Sequence, residues 1–86
     1  MSISKRVVIM NSQGLHARPA SELVEAMKAF SASVTVCVGE KSANSSSIMS
    51  LLALGATVGS EATVIADGPD EEDAMNVAIA VLGSED

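Results

Sequence analysis

Two stretches of the chain carry the same narrow apolar stripe, and together they limit the folds that the chain can form. The apolar positions of each stretch recur at the i, i+3, i+4 and i+7 spacing of an amphipathic helix. In the first stretch they are Ala20, Leu23, Val24 and Met27, and in the second they are Ala74, Val77, Ala78 and Val81. A helix with one such stripe buries a single face, so both helices must pack against a common partner. We predict these helices over residues 17–30 and from Asp70 to Gly83.

The segments around these helices have the composition of short strands. Residues 3–9 are rich in β-branched side chains, residues 34–38 alternate valine with smaller side chains, and residues 61–67 alternate again. Gly39 and Glu40 form a tight turn into a further strand over residues 41–44. A short apolar run follows three serines and ends at Gly55, which predicts a two-turn helix. The predicted order is β-α-β-β-α-β-α. It corresponds to an α+β open-faced sandwich: a four-stranded antiparallel sheet with helices on one face, in a single domain over residues 1–86.

Composition excludes several functions. The 86 residues carry 5 basic and 11 acidic side chains, a formal charge of −6, and a single aromatic residue, Phe30. Such a chain lacks the cationic stripe and the stacking platforms that nucleic-acid binding requires. No apolar run approaches the roughly 18 residues that span a bilayer. Cys37 is the only cysteine, so no intrachain disulfide is expected, and the absence of a leader peptide favours a cytoplasmic protein.

The only histidine, His16, lies just before the first predicted helix. Pro19 is tolerated only in the first turn of a helix, which places the helix start close to His16. The first N–H groups of a helix have no intrahelical acceptor and, with the helix dipole, bind anions. The guanidinium of Arg18 is permanently charged and can donate paired hydrogen bonds to phosphate oxygens, and Ser12 offers a hydroxyl from the preceding loop. Together these residues predict a site that holds a phosphoryl group on a nitrogen.

Other interpretations of the same residues remain open. Taken alone, His16 is explained as a structural or surface histidine, Arg18 as a solvated cation and Ser12 as a turn residue. One histidine and one cysteine give no metal-ligand spacing, so we expect neither a metal nor another cofactor. The carboxylates of residues 70–73 are explained by a helix N-terminus, with Asp70 as its N-cap, rather than by a cation site.

Three segments resemble a known family. Residues 14–20, GLHARPA, are similar to the active-site signature of the HPr family. Members of this family are the histidine-containing phosphocarriers of the bacterial phosphoenolpyruvate:sugar phosphotransferase system. Residues 46–55, SSIMSLLALG, resemble the second motif of that family, around its regulatory serine. Residues 67–72, DGPDEE, match the usual run into the last helix. The resemblance covers essentially the whole chain.

The resemblance implies a covalent relay rather than an autonomous enzyme. His16 would accept a phosphoryl group on Nδ1 from enzyme I, itself charged by phosphoenolpyruvate, and pass it to the A domain of a sugar permease. Arg18 and the amides of Ala17 and Arg18 would stabilise the phosphate, and Ser12 would reach it. A carrier that docks transiently on several partners is expected to be a monomer. The same motif fits a carrier serving a nitrogen-related or dihydroxyacetone-kinase system, and the family scaffold also occurs in regulators that lack the histidine.

The second motif implies regulation and docking. Ser47 matches the serine that an HPr kinase/phosphorylase modifies in many Gram-positive members, a modification read by a catabolite-control regulator. Ser46 and Ser50 replace the lysine and glycine common in the family, so Ser45, Ser46 and Ser47 all remain candidates for the modified residue. The short helix has too many apolar residues for one buried stripe, which predicts an exposed docking patch. The patch residues expected from the resemblance are Ile48, Met49, Leu51 and Leu52.

Overall fold

A computed structural model describes residues 2–85. Its elements follow the predicted order: β1 (Ser2–Val8), α1 (Ala17–Met27), β2 (Ser33–Val38), β3 (Lys41–Asn44), α2 (Ile48–Ala53), β4 (Glu61–Asp67) and α3 (Glu71–Leu82). Among these residues no helix is long and apolar enough to cross a membrane.

The four strands form one antiparallel sheet in the order β1-β4-β2-β3. The central pair β2 and β4 is held in register by opposed apolar residues, with Val34 opposite Ala66 and Val36 opposite Val64. These four side chains are at most 1% exposed, and the residues between them lie on the other face. The helices pack on the buried face only, which confirms the predicted open-faced sandwich.

Helix α1 buries the predicted stripe, but it ends earlier than expected. Its buried side chains include Leu23, Val24 and Met27, whereas Phe30 lies beyond the helix. The chain after Met27 tightens, because the N–H groups of residues 28–30 each donate to the carbonyl three residues earlier. The segment therefore leaves the α-helical pattern one turn before the predicted end.

Helix α3 is rotated relative to its predicted stripe. Ala74 and Ala78 are buried as expected, but Val77 and Val81 are only half-buried. The remaining buried positions are Met75 and Leu82. The helix packs against α1, β1, β4 and β2 at once, and this rotation places Met75 and Leu82 in the core.

Asp70 stands at the predicted N-cap of α3, but its side chain does not cap that helix. The carboxylate instead accepts hydrogen bonds from the backbone N–H groups of Ser31 and Ala32, both at 2.8 Å, and so ties the start of α3 to the start of β2. The Ser31 N–H lowers the pKa of the Asp70 carboxyl below its usual 3.8; burial opposes this shift, and the Ala32 N–H reinforces it. The ionised carboxylate is therefore part of the fold.

Candidate functional site

The loop between β1 and α1 packs against the segment between α2 and β4. Ile9 exchanges backbone hydrogen bonds with Ser60 and Gly59, at 2.9 and 2.8 Å, and the N–H of Leu15 donates to the Ala56 carbonyl at 3.1 Å. Gly14 has a φ of +71°, and a Cβ there would collide with the backbone of residues 56 and 57. The glycine of the first motif is thus required by a close approach of two loops, which fixes the position of His16.

His16 occupies the N-cap position of α1 in an extended conformation, and its side chain does not cap the helix. The half-buried imidazole lies beside the preceding loop, with Nε2 3.1 Å from Oδ1 of Asn11. The loop therefore fixes one edge of the ring.

Asn11 belongs to the candidate site through its contact with His16, and it was not predicted from the sequence. Its side chain is buried, at 7% exposure, and Oδ1 also accepts a hydrogen bond from the N–H of Gln13 at 3.1 Å. An asparagine that accepts from the residue two positions ahead is a recognised turn element. The sequence therefore contained the signal for an asparagine turn. The contact of Asn11 with His16, five residues away, depends on the course of the loop and could not be predicted.

The N-terminus of α1 is open to an anion. The N–H groups of Ala17 and Arg18 have no intrahelical acceptor, Pro19 has no N–H, and the first turn contains no acidic residue. Ala17 and the Arg18 side chain are exposed. Within residues 2–85 the guanidinium of Arg18 forms no ion pair. The helix dipole and the amides of the first turn therefore lie next to His16, and Arg18 adds a positive charge to the same turn, a combination suited to a phosphoryl group.

Ser12 is exposed in the same loop, immediately after Asn11. In the part of the chain that the structure describes, no group of three or more histidine, cysteine or acidic side chains could hold a metal ion.

The serine cluster before α2 is resolved into three environments. Ser45 is buried, Ser46 is exposed, and Ser47 is half-buried at the N-cap, where its Oγ accepts from the N–H of Ser50 at 3.2 Å. The N–H of Ser46 donates to Oδ1 of Asn44 at 2.9 Å. The three hydroxyls therefore differ in accessibility and in what they do for the fold.

The predicted apolar patch on α2 needs one correction. Leu51 is fully buried and packs in the core, so it is not part of an exposed surface. A helix lying on a sheet must bury one line of side chains, and on the six-residue α2 the one buried residue is Leu51. Leu52 is half-buried, whereas Ile48 and Met49 are 37% and 76% exposed.

Two further exposed apolar residues lie beside the histidine loop. Met10 is 43% and Val58 is 53% exposed. They adjoin the residues that pair across the two loops, because Ile9 bonds to Gly59 and Ser60. Neither residue was predicted from the sequence, because neither belongs to a periodic stripe. An apolar surface therefore lies next to the His16 loop.

Comparison with known proteins agrees with this geometry. Residues 3–83 match the family model described as the PTS HPr component phosphorylation site. This chain belongs to the HPr family. It is 44% identical over 79 residues to the phosphocarrier protein HPr of Haemophilus influenzae, covering 92% of this chain and 93% of the relative.

Two further members of the HPr family extend the comparison. The phosphocarrier protein NPr of Escherichia coli K12 is 39% identical over 85 residues, covering 98% of this chain and 94% of NPr. The crystal structure of HPr from Bacillus anthracis superposes with a TM-score of 0.89 at 32% identity, over 94% of this chain and 96% of that one. The predicted resemblance and the fold of the HPr family are both confirmed.

Proposed function

We propose that the chain is a phosphocarrier that accepts a phosphoryl group on His16 from phospho-enzyme I, ultimately from phosphoenolpyruvate, and passes it to the A domain of a sugar permease. The observation that carries the proposal is the position of His16 at the uncapped N-terminus of α1. The histidine sequence motif and the family of the chain support the same role.

The surrounding groups have separate roles in this proposal. The amides of Ala17 and Arg18 and the guanidinium of Arg18 stabilise the phosphoryl oxygens, and the hydroxyl of Ser12 is a further donor. These donors are present before the phosphate arrives, so little reorganisation is needed during transfer. The chain performs no turnover alone, because it requires a phosphorylated donor and a separate acceptor.

Incubation with enzyme I, magnesium and phosphoenolpyruvate tests the proposal. Wild type is expected to acquire one phosphoryl group that is labile in acid and stable in base, His16→Ala is expected to acquire none, and Cys37→Ser serves as a control that keeps the label. An unlabelled wild type would refute the relay. A label retained in His16→Ala would place the phosphate elsewhere.

The proposed docking surface is the exposed part of α2, Ile48 and Met49, with half-buried Leu52 at its edge. Enzyme I and the permease A domain are the proposed partners. Exposed apolar side chains of this kind are typical of protein docking surfaces. Met49→Ser is expected to weaken transfer at low partner concentration, while saturating partner restores it. We also propose that the carrier acts as a cytoplasmic monomer.

Ser47 is the proposed regulatory site, modified by an HPr kinase/phosphorylase and read by a catabolite-control regulator. Its position at the N-terminus of α2 supports this, because a phosphate there is electrostatically tolerated and repels acidic partner surfaces. Incubation with ATP and the kinase should label wild type and Ser46→Ala but not Ser47→Ala. Label lost in Ser46→Ala and kept in Ser47→Ala would move the site to Ser46.

A second candidate is a carrier for a nitrogen-related or dihydroxyacetone-kinase phosphotransfer system. The similarity to NPr over 98% of this chain supports keeping it. Transfer from the phosphorylated chain to a sugar-permease A domain separates the candidates. Rapid transfer supports the sugar branch, whereas a stable phosphorylated carrier that transfers to an acceptor of the other systems favours the second candidate.

A further inference from the structure

The oxygen of the Asn11 amide can be told from its nitrogen by the bonds it makes. The backbone N–H of Gln13 lies 3.1 Å from the Asn11 side-chain atom, and an N–H can only donate, so that atom must be the acceptor Oδ1. The same Oδ1 lies 3.1 Å from Nε2 of His16. Because an amide oxygen has no proton to give, Nε2 must carry the hydrogen of this contact.

A neutral imidazole carries one hydrogen, so a protonated Nε2 leaves the lone pair on Nδ1. We infer that Asn11 is a positioning residue that holds His16 in the Nε2–H tautomer and thereby presents Nδ1 as the nucleophile. The inference deepens the proposed function and rests on it where transfer is concerned. The tautomer itself is a property of the unphosphorylated chain.

The transfer step balances with this tautomer. The Nδ1 lone pair forms a bond to phosphorus while the bond between phosphorus and its donor atom on enzyme I breaks, and that atom keeps the bonding electrons. No proton leaves His16, so the ring becomes a cation that still carries its Nε2–H. The hydrogen bond to Asn11 Oδ1 becomes charge-assisted at that moment and so strengthens as the phosphoryl group arrives. Transfer to the acceptor reverses each change.

Asn11 suits this role because it is fixed before His16 is used. Its side chain is buried at 7% exposure, and the Gln13 N–H holds the carboxamide in one orientation. Asn44 makes the same turn elsewhere in the fold: its Oδ1 accepts from the N–H of Ser46 at 2.9 Å, with no imidazole attached. Asn44 therefore offers a matched control for the loss of such a turn.

Nitrogen-15 NMR of His16 at about pH 8.5, where an ordinary imidazole is neutral, tests the inference on the free protein. In wild type we expect two widely separated ring ¹⁵N shifts and a hydrogen on Nε2 that exchanges slowly. In Asn11→Ala the two shifts should converge as the second tautomer is populated. Asn11→Asp, which keeps the oxygen acceptor, should restore the wild-type pattern, and Asn44→Ala should leave it unchanged.

The same variants test the consequence for transfer. Asn11→Ala should lower the equilibrium transfer from phospho-enzyme I on the order of tenfold, the value of one charge-assisted hydrogen bond. A wild-type ring protonated on Nδ1, or ¹⁵N shifts unmoved by Asn11→Ala, would overturn the inference. This result is independent of the relay: a chain that enzyme I never labels refutes the proposed function and leaves the NMR result standing.

Discussion

The N-termini of α1 and α3 have opposite charge environments within one small fold. The first turn of α3 carries Glu71, Glu72 and Asp73, whereas the first turn of α1 carries no acid. At α3 the positive end of the helix dipole is therefore matched by the chain's own carboxylates. At α1 no acidic side chain of the first turn matches the positive end of the dipole, and Arg18 adds a further positive charge.

The two residues before these helices differ in the same way. Asp70 precedes α3, and its carboxylate accepts hydrogen bonds from the backbone N–H groups of residues 31 and 32. His16 precedes α1, and its Nε2 lies 3.1 Å from Oδ1 of the loop residue Asn11. The start of α3 is therefore tied to the segment before β2, whereas the start of α1 is held by the loop that precedes it.

The loop that holds His16 gives the largest expected effect. In Gly14→Ala the new methyl group meets the backbone of residues 56 and 57 in a left-handed conformation, so we expect a loss of about 3 kcal/mol or more. Gly59→Ala, with a φ of +88° and open space around the Cβ position, should lose only about 1–2 kcal/mol. Urea denaturation measures both. Equal losses would show that the two loops are not in close contact.

The proposed phosphate site at the start of α1 predicts the next effect. Arg18→Ala should lower the equilibrium transfer from phospho-enzyme I by roughly tenfold to a hundredfold, as the loss of charge-assisted bonds to a phosphate implies. Its stability should hardly change, since Arg18 is exposed. Arg6→Ala is the control, because Arg6 is exposed on the edge strand β1, where its guanidinium lies 3.8 Å from the carboxylate of Glu61. Equal losses in both variants would make the effect one of net charge alone.

The structural role of Asp70 predicts a dependence on pH. Because the pKa of Asp70 is lowered in the folded chain, the ionised carboxylate contributes stability above pH 3.8, and this contribution disappears as pH falls through the folded-state pKa. Asp70→Asn should lower the melting temperature near neutral pH, and the gap from wild type should close in acid. Asp67→Asn, at an exposed carboxylate on the open sheet face, is the control with the same change of charge. A gap that persists unchanged in acid would contradict this role.

A carboxylate added to α1 would make its start resemble that of α3. Ala17→Glu should raise stability by about 0.3–1 kcal/mol through the helix dipole and lower phosphoryl transfer several-fold through repulsion. Ala80→Glu, exposed in the last turns of α3, adds the same charge and should leave transfer unchanged. If Ala17→Glu gained stability without losing transfer, the positive end of the α1 dipole would not contribute to phosphate binding.

The order of elements could be predicted from the sequence because each carries its own signal. Alternating valines determine β2, and the run of acids marks the start of α3. The rotation of α3 could not be predicted, because Ala74 and Ala78 belong both to the predicted stripe and to the stripe that is buried in the structure. Only the packing of α3 on α1, β1, β4 and β2 at once decides that Met75 and Leu82 are buried.

The positions of the candidate site residues were predictable to a similar extent. His16, Arg18 and Pro19 are close in sequence, so their place at one helix start follows from local rules. Asn11 and Val58 join the region only because the β1–α1 loop folds onto residues 56–60. Leu51 was wrongly placed on the surface, because a six-residue helix is too short for its own pattern to show which side faces the core.

The difference between the two helix starts can be measured directly by comparing ¹H–¹⁵N spectra before and after phosphorylation by enzyme I and phosphoenolpyruvate. The amides of Ala17 and Arg18 should shift strongly as they bind phosphoryl oxygens, while those of Glu72 and Asp73 at α3 should stay in place. A phosphorylated chain in which the amide shifts of residues 17 and 18 are unchanged would contradict the proposed binding of the phosphoryl group at the start of α1.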